Sequence, residues 1–271
     1  MASTPSALLH RFYHRLGRSR IAVRIAATLR NQLDVVIRYH FADSFHDAEL
    51  MDDRLLGLLG PSVSTFVDVG ANVGRWTLAL LKYAPSARGI LLEPGRVSDE
   101  LKRVFTSFPD ITVRVAAGAD REGVGEFFES LSASEGSTLV EGAHLSDSVR
   151  RLVPVVTLDA EFGRIGWDGA DLVKVDAEGF DLDVLRGALS AIQRRSIRWI
   201  QFEYNTHWRA RGATLLAAAE LLKGYELFVI LRDGLHRANL SRYGDYFAYS
   251  NYLAARSDSV DVLSPLLRKP L

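Results

Sequence analysis

Three groups of residues have types and spacings that could do chemistry. The first is Thr65-Phe66-Val67-Asp68-Val69-Gly70-Ala71-Asn72-Val73-Gly74-Arg75-Trp76-Thr77. An apolar run leads into a glycine loop, and an amphipathic stretch follows it. Gly70 and Gly74 admit backbone conformations and a close ligand approach that a Cβ would hinder. A helix starting after them offers unpaired N–H groups and positive potential. The spacing is Gly-x-x-x-Gly, not the Gly-x-Gly-x-x-Gly of a dinucleotide fingerprint. Asp68 ends the apolar run, where a carboxylate would repel a pyrophosphate but suit an ammonium or sulfonium group. The pattern favours S-adenosylmethionine over NAD.

The second group is Ile90-Leu91-Leu92-Glu93-Pro94, an apolar run ending in an acid. In a doubly wound sheet, an acid ending the second strand hydrogen-bonds the ribose hydroxyls. The third expected strand ends at Ala116-Ala117-Gly118, where small residues would leave room for an adenine face. Turn chemistry explains them equally well.

The third group is Leu172-Val173-Lys174-Val175-Asp176-Ala177-Glu178-Gly179, followed by Glu203, Asn205 and His207 on the next run. Ligands in open α/β sheets sit outside the carboxyl ends of the strands, so these residues should face one crevice with Asp68. Methyl transfer to oxygen needs alignment of donor and acceptor and removal of the hydroxyl proton. Asp176, Glu203, Glu178 and His207 are the candidates to take that proton. Crowded acids raise one another's pKa by repulsion. Asp176, Glu178 and Glu203 could instead hold Mg²⁺ or another divalent cation, which would acidify the hydroxyl. Glu178 also reads as a helix-entry acid, and His207 as a surface residue. Lys174, inside a strand, should pair with an acid. Trp167 and Trp199 read as packing residues. Trp208 is the better candidate for stacking on a sugar ring.

With these residues in view, the chain resembles the FkbM family of S-adenosylmethionine-dependent methyltransferases. The resemblance rests on Asp68 to Gly74, Glu93-Pro94, Thr157-Leu158-Asp159, Lys174 to Phe180, Val184-Leu185-Arg186-Gly187-Ala188 and Glu203-Tyr204-Asn205. Lys-x-Asp-x-Glu-Gly is the most diagnostic segment. The similarity runs roughly over residues 60–255 and leaves 1–55 uncovered. It implies methyl transfer to a hydroxyl of a sugar or natural product. It also implies that Asp68, Gly70, Asn72 and Gly74 line the methionine end of the cofactor and that Glu93 holds the ribose. Ala71, Thr77, Pro94 and Ala117 complete the expected cofactor set. Ala177 stands where the family often has a β-branched residue, away from the chemistry.

The elements that must position these groups follow from periodicity. Strands are expected at Val63–Val69, Gly89–Leu92, Ile111–Ala116, Gly125–Phe128, Val153–Leu158, Leu172–Val175, Ile197–Phe202, Glu226–Leu231 and Tyr249–Ala254. Helices are expected at Arg75–Tyr83, Asp99–Phe108 with Ser98 as N-cap, Leu182–Gln193 and Thr214–Lys223. Such alternation argues an α/β fold with a doubly wound, mostly parallel sheet. The Asp233-Gly234 turn suggests a terminal antiparallel strand. The resemblance specifies this as a Rossmann-like class I methyltransferase fold with added N-terminal helices. The expected division is an N-terminal helical extension, 1–55, and a methyltransferase domain, 56–271.

The 271 residues are 48% hydrophobic and 24% charged, the balance of a globular protein rather than a disordered one. Thirty-three basic residues cancel 33 acidic ones, so no global field would hold nucleic acid. The absence of cysteine excludes disulfides, thiol nucleophiles and Cys-ligated metals. No apolar run approaches the ~20 residues needed to span a bilayer, and residues 1–10 do not read as a secretory signal. The expected compartment is therefore cytoplasmic.

Residues 1–40 hold seven arginines against Asp34 alone. They read as helices packed on the main domain, as a contact with an anionic membrane surface or partner protein, or as a transit segment. Ser130–Asp147 reads as a surface loop whose Ser132, Ser134, Ser137 and Thr138 could cover the site. The expected activity is O-methylation of a hydroxyl on a sugar, glycolipid or natural product. N- or carboxyl-methylation and a non-catalytic cofactor-binding module are the alternatives. A homo-oligomer stays open.

Overall fold

A computed structural model describes residues 5–42, 48–130, 139 and 148–269. The chain forms two compact units, Met1–His40 and Phe41–Leu271. The first consists of helix α1 (Pro5–Gly17) and most of α2 (Arg20–Ala42). Helix α3 (Ala48–Leu59), expected with the N-terminal extension, belongs to the second unit. Its Met51, Leu55, Leu56 and Leu59 are buried in the core.

In chain order, the second unit continues with β1 (Thr65–Val69), α4 (Arg75–Tyr83), β2 (Arg88–Leu92), α5 (Ser98–Val104), β3 (Ile111–Arg114), β4 (Ala117–Gly118), β5 (Gly123–Ser130) and β6 (Ser148–Val156). There follow α6 (Leu158–Ile165), β7 (Leu172–Val175), α7 (Asp181–Gly187), α8 (Leu189–Gln193), β8 (Trp199–Tyr204), α9 (His207–Ala210), α10 (Leu215–Leu221), β9 (Tyr225–Leu231), β10 (Gly234–Arg237), α11 (Leu240–Tyr243) and β11 (Ser250–Arg256).

The main sheet has the order β10-β9-β11-β8-β7-β1-β2-β3. Strands β3, β2, β1, β7 and β8 run parallel. They read as apolar runs because both sheet faces are covered. β11 is antiparallel to both β8 and β9 and lies between them. The Asp233-Gly234 turn does make a hairpin, but its second strand is β10 at the sheet edge. The last strand of the chain, β11, is antiparallel as expected and is inserted between β8 and β9. A small second sheet, β4-β6-β5, stands apart from the main one.

Some elements differ from expectation for local reasons. Ser98 does not cap α5; it is the first helical residue, after Val97, and is buried. The stretch 182–193 is two helices joined at Ala188, with Gly187 preceding the break. A Cβ on Gly187 would lie 2.0 Å from the Ala119 carbonyl oxygen, so the close approach there requires glycine. Helix α6 has no counterpart in the periodicity reading. Thr157 caps it by accepting the Ala160 N–H at 3.2 Å. The Ser- and Gly-rich stretch around Ser132, Ser134, Ser137 and Thr138 lies outside the described residues.

One face of the sheet is apolar, with Phe66, Leu91, Leu172, Trp199 and Leu253 in one core with buried residues of α3 and α4. A polar row crosses it. Asp68, Lys174 and Gln201 are register partners on β1, β7 and β8. This row leads to the site.

Candidate active site

The strand ends build a crevice by continuing the ladder beyond the strands. The Gly70 and Ala71 amides both donate to the Leu92 carbonyl, and the Asp176 amide donates to that of Val69 at 3.0 Å. Gly70 has φ +77°, and a Cβ there would sit 1.8 Å from the Asp176 carbonyl oxygen. Glycine is thus what allows the loops after β1 and β7 to touch. Asn72 (φ 48°) and Glu178 (φ 48°) are non-glycine residues in the left-handed region, a strain that gathers at ligand loops.

A cleft open to solvent lies there. Its floor is Val69, Gly70, Asn72, Glu93, Pro94 and Asp176, with Glu178 beside them. Ala117, Gly118 and Phe127 of the small sheet, with Leu139, form an apolar wall. Glu93 Oε2 accepts the Asn72 N–H at 2.9 Å, and its Oε1 accepts the Gly95 N–H at 2.8 Å. Burial raises its pKa, against those two N–H donors. Asn72 Oδ1 is buried with no hydrogen-bond partner among the described residues, an acceptor available to a donor at the cleft.

The expected cofactor residues therefore divide. Gly70, Asn72, Glu93, Pro94 and Ala117 line the cleft; Asp68, Ala71, Gly74 and Thr77 do not. Asp68 faces the core. It is fully buried and accepts the Thr77 hydroxyl at 2.7 Å, so these two side chains bind each other. The strand alternation decides this, because Asp68 and Val69 point to opposite faces. Gly74 acts through space: a Cβ there would lie 2.4 Å from the Phe105 ring. Ala71 is buried in the core.

Lys174 joins the core row to the cleft. Its Nζ donates to Asp176 Oδ2 at 2.9 Å and lies 3.9 Å from Asp68 Oδ1. Burial lowers its pKa, but the Asp176 and Asp68 charges more than offset that and hold the ammonium charged. Gln201 donates to Asp52 Oδ1 at 2.8 Å. Burial pushes Asp52 up to about 6, against the Gln201 hydrogen bond. The expected pairing of Lys174 with an acid is realised, and it weighs against a metal site. Among the described residues, no group of three or more His, Asp or Glu side chains is placed to hold an ion. Asp176, Glu178 and Glu203 do not converge as ligands, since Asp176 is turned to Lys174 and Glu203 to Asn205.

The third group comes together across two loops. Glu203, at the end of β8, is buried and hydrogen-bonded to the Asn205 amide. Burial, with the charges of Asp176, Glu178 and Asp181, raises its pKa well above the usual range. His207 Nδ1 lies 3.8 Å from Glu178 Oε2. Trp208 is not a sugar platform. It is fully buried, stacked on Phe202 with centroids 6.1 Å apart, and donates its indole N–H to Asp181.

Asp181 was not singled out by the sequence reading. Oδ1 accepts the Ala177 N–H and Oδ2 the Gly179 N–H, both at 3.0 Å. Oδ2 also takes the Trp208 indole at 3.2 Å. One carboxylate thus ties the loop after β7 to the one after β8. Burial pushes it up to about 7 despite its N–H donors. A Gly179-x-Asp181 step at a helix entry was the available signal. Asp52, Phe127 and Leu139 also escaped, because nothing local in sequence ties them to the glycine loop.

The methyltransferase FkbM domain model matches residues 68–239. The chain belongs to the FkbM methyltransferase family. The chain thus carries that family's methyltransferase domain, and the family's methyl donor is S-adenosylmethionine. Its sequence is 24% identical over 279 residues to the AMB antimetabolite synthetase AmbE of Pseudomonas aeruginosa, covering 88% of this chain and 13% of that protein. The crystal structure of methyltransferase FkbM from Methylobacillus flagellatus is similar with a TM-score of 0.45 and 19% identity, covering 70% of this chain and 43% of that one. Precorrin-6y C5,15-methyltransferase from Geobacter metallireducens gives 0.39 and 13%, over 75% and 87%. The chain thus spans less than half the length of the curated relative and of the FkbM crystal chain.

The donor set fits this cofactor. The cleft offers an acid at the β2 end, a glycine loop, an unpaired acceptor on Asn72, an apolar wall and, among the described residues, no basic side chain in its lining.

Proposed function

We propose that this FkbM-family enzyme methylates a hydroxyl oxygen on a sugar, glycolipid or related natural product. The observation that carries this reading is the acid group at the ends of β7 and β8. Asp176 and Glu178 line the cleft, and Glu203 lies close enough to be pushed up by both. A hydroxyl is a weak nucleophile that must lose its proton as it attacks, so an O-acceptor calls for a proton acceptor of raised basicity. An amine acceptor would not need such a crowd of acids.

When bound, S-adenosylmethionine supplies an electrophilic methyl on a sulfonium. Glu93 would hold the ribose, the Gly70–Asn72 loop the methionine end, and Phe127 with Leu139 the adenine face. Asp176, hydrogen-bonded by Lys174, would orient the acceptor hydroxyl. Glu203, a stronger base when ionised than an ordinary carboxylate, would take its proton. His207, whose Nδ1 lies 3.8 Å from Glu178 Oε2, would position the acceptor.

The test is incubation of the protein with methyl-labelled cofactor and separated glycan, lipid and small-molecule fractions, followed by mass spectrometry of the labelled product. An alkali-stable O-methyl ether is expected. An alkali-labile methyl ester, an N-methyl product, or no labelled fraction at all would overturn the reading.

A further inference from the structure

Helix α2 carries two unlike faces. Ile21, Ile25, Leu29, Leu33 and Val36 recur at helical spacing and are 56–71% exposed. Arg20, Arg24, Asn31 and Arg38 occupy the opposite side of the same turns. Helix α1 repeats the design, with Leu9, Phe12, Tyr13 and Leu16 exposed on one face.

The apolar stripe is too large for scattered surface residues, and α2 is not apolar enough to span. No helix among the described residues is long and apolar enough to cross a membrane. A long helix with a wide apolar face, a basic polar face and aromatic residues nearby suits the plane of a bilayer interface. The charge decides what kind of bilayer. Residues 1–40 hold seven arginines and one acid, a basic excess within a chain whose 33 basic and 33 acidic residues balance as a whole. Asp34, that one acid, faces Arg30 at 4.0 Å. Arginines flanking an apolar face complement anionic lipid headgroups.

We infer that α1 and α2 form an arm that lies on membranes bearing anionic lipid, with the α2 stripe inserted and the arginines at the headgroups. Full-length protein should sediment with phosphatidylcholine vesicles containing phosphatidylglycerol at least tenfold more strongly than with phosphatidylcholine alone. Raising the salt should weaken the binding. Arg24→Ala and Arg38→Ala should each lower partitioning about fivefold, and the double variant Leu29→Glu/Leu33→Glu should abolish it. Unchanged affinity for S-adenosylhomocysteine in every variant would show the catalytic body folded. Equal sedimentation with both vesicles, or none with either, would overturn the inference. So would a dimer in light scattering that the double variant dissolves, since a second copy would then cover the stripe.

Discussion

Asp176 is the residue on which the chemistry turns. It lines the cleft, and its carboxylate is bound to Lys174 at 2.9 Å. Asp176→Asn keeps the shape and removes the charge. Turnover should fall about a hundredfold or more, the scale of a lost acid–base or orienting group. Affinity for S-adenosylhomocysteine should change less than tenfold by calorimetry. Full turnover in the variant would remove Asp176 from the reaction. EDTA treatment should leave turnover within about twofold, because the three acids a cation would need are turned to other partners. Loss of activity that Mg²⁺ restores would contradict that geometry.

Asp52 and Asp181 give the site a pH signature. Their carboxyls stand at about 6 and about 7, above the unfolded-chain range near 4. Protonation therefore favours the folded state. The stability they contribute is complete below about pH 4 and lost as pH rises through about 6 to 7. The Tm of the cofactor-free protein should fall across that window, and Asp52→Asn should lessen the fall. A slope identical to that of the unaltered chain would count against a protonated Asp52.

At the scale of elements, the site is two loops held in contact. Gly70 lets the loop after β1 approach the Asp176 carbonyl, and Asp181 ties the loop after β7 to Trp208. Gly70→Ala would force a left-handed alanine into a backbone oxygen. It should destabilise the protein by about 1–3 kcal/mol in denaturant unfolding and abolish cofactor binding. Asp181→Asn keeps one acceptor oxygen where three N–H groups now converge. It should lower kcat about tenfold or more with cofactor Kd little changed, since the loop after β1 does not depend on it. A change in Kd alone would place Asp181 in cofactor binding instead.

Much of this was legible from the chain. Apolar runs gave the parallel strands, and the glycine loop and strand-end acids marked the crevice. What stayed hidden was set by long-range geometry. Asp68 ends an apolar run as a ligand acid would, yet pleat alternation turns it into the core toward Thr77. Asp52 has no local signal in sequence and reaches Gln201, 149 residues away. Phe127 enters the cleft only because the small sheet folds beside it. The insertion of β11 between β8 and β9 has no local signature, since either neighbour offers an edge.

At the scale of the whole molecule, the apolar sheet core and the polar row across it serve one crevice, lined by Asn72, Glu93 and Asp176. The most direct measurement is a crystal structure of the protein with S-adenosylhomocysteine. The ribose hydroxyls should meet Glu93, the adenine should lie between Phe127 and the β4 end, and the sulfur should face Asp176. The nucleoside found outside this cleft, or the sulfur turned away from the acids of β7 and β8, would contradict it.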